Sequence, residues 1–268
     1  MRKLLKSELL KLRRCQILLV GLIALALCPI VQYGSELIVE EEYRNPNYNF
    51  QTLFENVVWG NTQMFFPISL VMIGGWLIDR ESACDALKNI MTIPVSMPKL
   101  LEGKLLLIIM LTALLGIYSV GITLLTGLAV GLPGLTGEVV LHGGMQIVAA
   151  ALMTCLVCMP LILMFGQIRG AYLGGSILAF FLGYSMMFFK GGALASIYPF
   201  SAALILAGFD MSGYAGTIAA PNPLLATVGV FFMVLWTIVL LMMSGRKKEM
   251  KPARRKNGGR RAGSRRKS

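Results

Sequence analysis

Long apolar segments alternate with short polar ones along this chain. The apolar segments with 18 or more residues cover 16–33, 59–78, 104–131, 139–165, 170–189 and 224–243. An α-helix rises 1.5 Å per residue, so about 20 apolar residues cross the hydrocarbon core of a bilayer. The pattern therefore predicts an all-α integral membrane protein with six transmembrane helices. Gly-x-x-x-Gly pairs at 127–131 and 170–174 predict close contacts between helices.

Two stretches between these segments need separate interpretations. Residues 36–58 are polar and acidic, with three consecutive glutamates at 40–42, and we predict that they form an external loop. Residues 193–209 are apolar, but Pro199 interrupts them. A crossing there would place the end of the chain on the side of the membrane opposite to its start. We therefore expect residues 190–223 to form a re-entrant or interfacial hairpin that protein shields from lipid.

The first residues combine leucines with basic side chains at helical spacing. Leu5, Leu9 and Leu12 lie among lysines and arginines, which is typical of an amphipathic helix in the headgroup layer. We predict such an interfacial helix over residues 1–15, and a cytosolic lead-in without a mechanical role is the alternative. Its polar residues include Glu8, Lys11 and Arg13.

The composition and the charge distribution agree with a membrane protein. Hydrophobic residues make up 56% of the chain and charged residues 14%, and the mean hydropathy is +0.71. The net charge is +12. With six spans, 23 of the 25 lysines and arginines lie on one side, and only Arg44 and Lys190 lie on the other. Because basic loops stay in the cytoplasm, both termini are predicted to be cytoplasmic.

Residues 245–268 form a tail rich in glycine, arginine and lysine, without apolar periodicity. Such a composition predicts disorder. The tail begins with Arg246, Lys247 and Lys248, and basic residues near a membrane attract anionic lipid by roughly 1 kcal/mol each. Lipid binding and a plain topology signal both explain the tail. It contains no aromatic residue for stacking on bases, so nucleic acid is not an expected partner.

One charged stretch, residues 79–99, lies between the second and third apolar segments. Apolar residues recur three and four positions apart over 83–91, while Asp85 and Lys88 lie on the other side, which predicts a short amphipathic helix facing the cytosol. Pro94 disfavours a helical conformation at the residue before it, and Pro98 lies near the start of the next helix. A helix, a fixed break and a second helix have the geometry of a rigid lever.

No motif in the sequence indicates catalysis. A phosphate loop requires Gly-x-x-x-x-Gly-Lys-Ser/Thr, but Gly103-Lys104 is followed by leucine. Cys155 and Cys158 have metal-ligand spacing without a neighbouring histidine, and we expect them to pack as reduced apolar residues. The single histidine, His142, leaves an intramembrane hydrolase without its catalytic set. The chain is therefore not predicted to be an enzyme or to bind a cofactor, and a nucleotide that energises it must bind another chain.

Three stretches carry a resemblance to a known family. They are Glu81 with Lys88-Asn89-Ile90-Met91-Thr92-Ile93-Pro94-Val95-Ser96, Lys99-Leu100 and Gly103-Lys104; Leu5 to Arg14; and Tyr198-Pro199-Phe200-Ser201. The first resembles the segment after the second span of ABC-2 type permeases, and is most similar to the bacitracin-type and lantibiotic self-protection subgroup. The second resembles the N-terminal connecting helix of that family, and the third its external patch. The subgroup often has tryptophan where this chain has Phe200, and the basic tail is not part of the family pattern.

This resemblance implies a permease subunit of an ATP-driven exporter in the bacterial plasma membrane. A coupling helix within 79–99 would contact a separate ATPase that binds ATP and Mg²⁺, with two ATPases and two permeases, identical or paralogous, per transporter. The substrates implied are peptides, lipid-linked molecules or other amphipathic molecules. The residues implied in the ATPase contact are Glu81, Asp85, Lys88, Asn89, Thr92 and Pro94, and those of the external patch are Tyr198, Pro199 and Phe200.

The predicted organisation has three parts. An interfacial helix (1–15) precedes a six-helix permease domain (16–244), which contains the coupling segment (79–99) and the hairpin (190–223), and the basic tail (245–268) follows. The residues alone also allow a function of another class, in which the chain is a membrane scaffold without transport activity. In that case its basic tail would recruit lipid or a soluble partner.

Overall fold

The computed structural model of the chain describes residues 16–40, 45–83, 97–189, 192–211 and 221–249. All regular structure in these ranges is helical. Two short segments have other helical geometries: a π-helical turn, Asn61–Phe65, and a 3₁₀ turn, Ser185–Phe188. The helices are α1 (Ile17–Ile38), α2 (Phe50–Gly60), α3 (Phe66–Ala83), α4 (Met97–Val130), α5 (Gly137–Gly166), α6 (Tyr172–Tyr184), α7 (Gly192–Ile197), α8 (Pro199–Leu206) and α9 (Pro223–Glu249).

Five helical segments of the described chain are long and apolar enough to cross a membrane. They are Ile17–Ile38, Phe50–Arg80, Pro98–Val130, Gly137–Gly166 and Pro223–Ser244. The segment predicted as the fifth of six spans forms the shorter apolar helix Tyr172–Phe188. At 1.5 Å per residue it is about 26 Å long, less than the ~30 Å of a hydrocarbon core. The prediction of an all-α membrane protein agrees with the structure, and a sixth crossing stays a prediction.

The predicted external loop over 36–58 is wrong for much of its length. Helix α1 continues to Ile38, and α2 begins at Phe50, where the Asn49 side chain accepts a hydrogen bond from the Thr52 backbone N–H at 3.0 Å. The apolar residues of α2 recur three and four positions apart, so they bury one face, while polar residues occupy the other. The second span therefore starts at Phe50, nine residues before residue 59, where the apolar pattern predicts its start. The buried residues of this face are Phe50, Leu53, Phe54, Val57 and Val58.

Helix α3 lies at the centre of the bundle. It packs against α5, α6, α4 and α1, and its residues are mostly buried. Helices α1 and α9 lie at the periphery and expose many large apolar side chains, which a bilayer would cover. The hydrophobic core therefore surrounds the helix that leads into the charged segment 79–99.

The π-helical turn contributes unusual polarity to this core. Asn61, Thr62 and Gln63 are buried, and the Asn61 amide donates to the Ser119 hydroxyl of α4 at 2.9 Å. Among the described residues, Asn61 Oδ1, Thr62 Oγ1 and Gln63 Nε2 nevertheless have no hydrogen-bond partner. Next to the turn, a Cβ atom on Gly183 would lie 2.3 Å from the Gln63 carbonyl oxygen. Helix α6 therefore packs directly on the backbone of the turn.

The two predicted glycine contacts have different outcomes. A Cβ atom on Gly127 would lie 2.4 Å from the Phe50 ring, so α4 does approach α2 closely there. Gly170 instead adopts φ +73° in a turn, and a Cβ atom on Gly174 would meet nothing within 4 Å. The close contact predicted at 170–174 is therefore wrong. Helix α6 approaches α5 one residue later, where a Cβ atom on Gly175 would lie 2.5 Å from the Phe165 ring.

The ends of the chain and the hairpin differ in part from expectation. Helix α9 continues to Glu249, so the first residues of the tail predicted to be disordered belong to a helix. Pro199 begins α8, directly after α7, in agreement with the predicted break in the hairpin. The predicted interfacial helix (1–15) and residues 250–268 of the tail lie outside the described residues.

Candidate functional site

The candidate site is the junction at which the bundle holds the two ends of the charged segment 79–99. We define this helix junction by Gly75, Leu77, Asp79, Lys104 and Gly170. Helix α3 carries the first three of these residues, α4 carries Lys104, and Gly170 lies in the turn between α5 and α6. The junction therefore joins four helices next to the charged segment.

Lys104 connects the two helices that flank the segment. Its side chain is 2% exposed, and its Nζ donates a hydrogen bond to the backbone carbonyl of Leu77. Lys104 also makes a further interaction besides this bond. A buried ammonium is costly unless its donors are paired, so these contacts hold the start of α4 against the end of α3.

Asp79 connects α3 to the other half of the bundle. Its carboxylate is buried, and Oδ2 accepts a hydrogen bond from the Gly170 backbone N–H at 3.3 Å. The positive φ of Gly170 shapes the turn that presents this N–H, and glycine adopts such a conformation without steric cost. Asp79 Oδ1 has no hydrogen-bond partner within the part of the chain that the structure describes. The acidic end of α3 is thus fixed to the α5–α6 turn by one oxygen.

Glycines allow the junction helices to touch. A Cβ atom on Gly75 would lie 2.7 Å from the Tyr172 Cβ of α6, and one on Gly166 would lie 2.9 Å from the Ile78 Cβ. Real Cβ atoms do not approach so closely, so α3 lies nearer to α5 and α6 than any larger residue would permit. A displacement of α3 here cannot be absorbed by side-chain rearrangement and must move its neighbours.

Trp76 and Arg80 mark the outer surface of the junction. The Arg80 guanidinium carbon lies 5.2 Å from the centre of the Trp76 ring, in cation–π range. Arg80 is exposed, and tryptophan and arginine with this arrangement are typical of the membrane–water boundary. Segment 79–99 therefore begins at the level where helix α3 leaves the apolar layer.

The structure describes only part of the predicted ATPase contact. Glu81 lies in the last turn of α3, so it continues that helix and does not start a separate one. The other contact residues lie outside the described residues, as do those of the interfacial helix. They are Asp85, Lys88, Asn89, Thr92 and Pro94 for the contact, and Glu8, Lys11 and Arg13 for the interfacial helix. Arg246, Lys247 and Lys248 lie in the last turns of α9.

The predicted external patch forms part of the helix packing. Tyr198 is partly buried, and its hydroxyl donates to the Leu182 carbonyl at 2.6 Å and lies 2.6 Å from Ser185 Oγ. Phe200 is 2% exposed, and Pro199 begins α8. These residues therefore fasten the hairpin to the end of α6, and Phe200 is not available as a surface contact.

The sequence does not identify the hydrogen bonds of Lys104 and Asp79. Asp79 lies at the edge of a charged stretch and Lys104 at the start of an apolar segment, yet both are buried against other helices. An isolated ionisable residue beside an apolar run was the signal, because such residues usually pair inside a bundle. The pairing itself, to the backbone of Leu77 and Gly170, leaves no pattern in the sequence.

The polar side chains of the junction bond to the backbones of neighbouring helices. The described residues contain no group of three His, Cys, Asp or Glu side chains that could hold a metal ion. Cys28, Cys155 and Cys158 are buried free thiols, in agreement with apolar packing. Lys104 Nζ and Asp79 Oδ2 thus connect α4, α3 and the α5–α6 turn.

These features define a helical membrane protein whose central helix is tied to its neighbours beside one charged segment. Residues 4–186 match the family model described as ABC-2 family transporter protein, and the chain belongs to this family. It is therefore a membrane transport component of the permease type, not itself an ATPase. Permeases of this family usually work with an ATP-binding subunit. Searches of curated proteins and of solved structures gave no significant match.

The matched range contains α1 to α6 and the whole of segment 79–99, but not the hairpin helices or α9. The match is to the family as a whole. The bacitracin and lantibiotic subgroup is not distinguished by it and stays a prediction.

Proposed function

We propose that the chain is the permease subunit of an ATP-driven exporter, and that segment 79–99 is its contact with the ATPase. The transported molecules would be peptides or other amphipathic or lipid-linked molecules. Two ATPases and two permeases would form the transporter. The observation that carries this proposal is the helix junction, together with membership of the ABC-2 family.

A stiff connection is what such a contact requires. An ATPase that moves the charged segment can rearrange the helix bundle only if the helices at both ends of the segment move with it. The Lys104–Leu77 bond holds α4 to α3, and the Asp79–Gly170 bond holds α3 to the α5–α6 turn. The glycine contacts then transfer movement of α3 to α5 and α6 by direct packing.

The proposed orientation follows from charge. The junction end would face the cytoplasm, because 23 of the 25 basic residues lie on that side in a six-span arrangement. Basic residues of the tail would contact the anionic inner leaflet. The opposite end of the bundle, with the α4–α5 connection and Phe50, would face outwards.

Reversing the charges of the segment tests the proposal. The double variant Glu81→Lys/Lys88→Glu is expected to lose its ATPase during purification, because complementary charges fix an interface and like charges oppose it. The retained ATPase should fall by about tenfold or more, which corresponds to roughly 1.4 kcal/mol. The measurement is the ratio of ATPase to permease after affinity purification from cells that produce both.

Glu40→Lys is the matched control, since it reverses an exposed charge at the other end of the bundle and should leave the ratio unchanged. The proposal would be contradicted if the unaltered chain, the double variant and Glu40→Lys all retained the ATPase equally, with unchanged ATP hydrolysis.

Deletion of residues 246–268 tests the alternative that the chain is a membrane scaffold. A transporter should keep most of its activity, whereas a scaffold that acts through its tail should lose all of it.

A further inference from the structure

An apolar groove lies between α5 and α9, at the end of the bundle that carries the helix junction. Its volume is about 420 Å³, within the usual range for pockets that bind small molecules. Three of its lining side chains are large, apolar and exposed, although both helices are long and apolar enough to cross a membrane. Hydrocarbon fills such a groove more favourably than water does. The apolar side chains that line it include Leu163, Met164, Ile168, Leu240 and Met243, of which Met164, Ile168 and Met243 are the exposed ones.

A hydrogen bond joins the two helices at one end of this groove. The Ser244 hydroxyl donates to Gln167 Oε1 at 3.0 Å, and both residues line the groove. Ser244 is the last residue of the apolar segment of α9, and Gln167 directly follows the apolar segment of α5. The bond therefore holds the positions where both helices leave the apolar layer at the same level.

Arg169 supplies positive charge at this level on the α5 side. It is exposed and lies two residues after Gln167, in the turn between α5 and α6. The Asp79 carboxylate bonds to the N–H of the neighbouring Gly170, but it is buried. No ion pair of Arg169 occurs in the part of the chain that the structure describes. Its guanidinium is therefore available to an anion at the membrane boundary.

Helix α9 supplies positive charge on the other side of the groove. Lys247 follows Met243 by four residues and Leu240 by seven, so its position continues the face of α9 that lines the groove. It lies about 4.5 Å beyond Ser244 along the helix axis. The end of α9 has three basic residues against one acidic residue, in the order Arg246, Lys247, Lys248 and Glu249.

We propose that the groove binds one anionic phospholipid of the membrane. An acyl chain occupies the apolar groove, and the phosphate lies at its rim between Arg169 and Lys247. Guanidinium and ammonium groups both pair with phosphate oxygens. A zwitterionic headgroup brings its own ammonium, so an anionic headgroup gains more from these two residues. The site does not depend on the exporter function, whereas its place in the cytoplasmic leaflet follows from the proposed orientation.

Trp236 is a natural reporter of the groove. It precedes Leu240 by four residues and Met243 by seven, so it lies on the same face of α9, and it is exposed. Bromine atoms on an acyl chain beside it would quench its fluorescence. The variant Trp236→Phe gives the quenching that comes from Trp59 and Trp76, and the difference belongs to the groove.

The test uses the full chain in nanodiscs of phosphatidylcholine without any ATPase. A small fraction of the lipid is replaced by phosphatidylglycerol or by phosphatidylcholine, each with brominated acyl chains. We expect an apparent affinity at least fivefold higher for brominated phosphatidylglycerol, because basic residues near the membrane surface attract anionic lipid. An excess of glycerophosphoglycerol, the same headgroup without acyl chains, should leave the quenching unchanged.

Variants locate the site. Arg169→Gln/Lys247→Gln is expected to reduce the preference for phosphatidylglycerol to about onefold, because both phosphate partners are lost. Lys247→Gln alone, in the last turn of α9, guards against misfolding of the double variant and should reduce the preference at least twofold. Arg246→Gln is the matched control, since its position in the same turn lies on another face of the helix. Arg44→Gln/Lys190→Gln removes two charges at the opposite end, and both controls should bind like the unaltered chain.

Three results would overturn the proposal. They are equal quenching by the two brominated lipids, a preference that persists in Arg169→Gln/Lys247→Gln, and displacement by glycerophosphoglycerol, which would show that phosphate alone occupies the rim. None of them bears on the exporter, which is tested by charge reversal at Glu81 and Lys88. Lipid binding without any effect of that reversal would support the groove and count against the exporter.

Discussion

Gly75→Leu is expected to disrupt the helix junction, whereas Gly174→Leu should leave the protein intact. The Cβ atom alone would lie 2.7 Å from the Tyr172 Cβ and 3.5 Å from its Cα, so the backbones of α3 and α6 must separate. Overpacking of a close-packed core costs about 1–3 kcal/mol, and the longer leucine side chain adds to it. Separation also stretches the Asp79–Gly170 bond, because both ends of that bond lie beside the contact.

The measurement is thermal stability of the purified proteins in one detergent. For Gly75→Leu the midpoint should fall by about 5–10 °C, or the protein should elute as aggregate in size-exclusion chromatography. Gly174→Leu makes the same substitution in a helix, at an exposed position where a Cβ atom meets nothing within 4 Å. A Gly75→Leu protein as stable as the Gly174→Leu protein would show that α3 and α6 do not pack as described.

Lys104→Met is expected to uncouple the permease from its ATPase without unfolding it. Methionine fills a similar volume, and replacement of a buried charge by an apolar side chain is often neutral or stabilising. The bond to the Leu77 carbonyl is lost, which removes one connection between α4 and α3 beside the segment. Hydrogen bonds to charged groups contribute about 1.5–3 kcal/mol, so ATP hydrolysis stimulated by substrate should fall about tenfold or more.

Three readouts separate the roles of this lysine. The thermal midpoint and the bound ATPase should stay near those of the unaltered protein, while stimulated hydrolysis falls. Glu102→Gln is the control, because Glu102 lies on the same helix, is exposed and is outside segment 79–99. Loss of stability together with activity would assign Lys104 a structural role only, and full stimulated hydrolysis would remove it from the coupling route.

The parts of the fold that were predictable share one property, which is that a local pattern determines them. Long apolar runs placed most of the membrane-crossing helices, and Pro199 placed the start of α8, because proline is favoured in the first turn of a helix. The family resemblance rests mainly on residues 81–104, with weaker support from 5–14 and 198–201, and the family match over 4–186 agrees with it.

The parts that failed depend on neighbours that a linear pattern does not identify. Residues 50–58 looked too polar to enter a membrane, yet one face of α2 is buried against α5 and α4. Spacing alone suggested that Gly174 was a contact, whereas the contact lies at Gly175, because the direction in which a helix faces its partner is set by tertiary packing. For the same reason, no pattern identified Leu77 and Gly170 as the partners of Lys104 and Asp79.

The π-helical turn was also unpredictable, since the residues that form it have no distinguishing sequence. Such turns are often found at functional sites. Here the turn lies between α2 and α3, the helix that leads to the junction.

The most direct test of the account is a photo-crosslinker at Asn89, in cells that produce the transporter at its natural level. The proposed contact predicts an adduct with a protein that contains the phosphate loop Gly-x-x-x-x-Gly-Lys-Ser/Thr, identified by mass spectrometry. The same crosslinker at Gly134, in the connection between α4 and α5 at the opposite end, should give no such adduct. Adducts of Asn89 with lipid alone, or of Gly134 with the ATP-binding protein, would contradict the assignment of segment 79–99 as the site where ATP hydrolysis drives this permease.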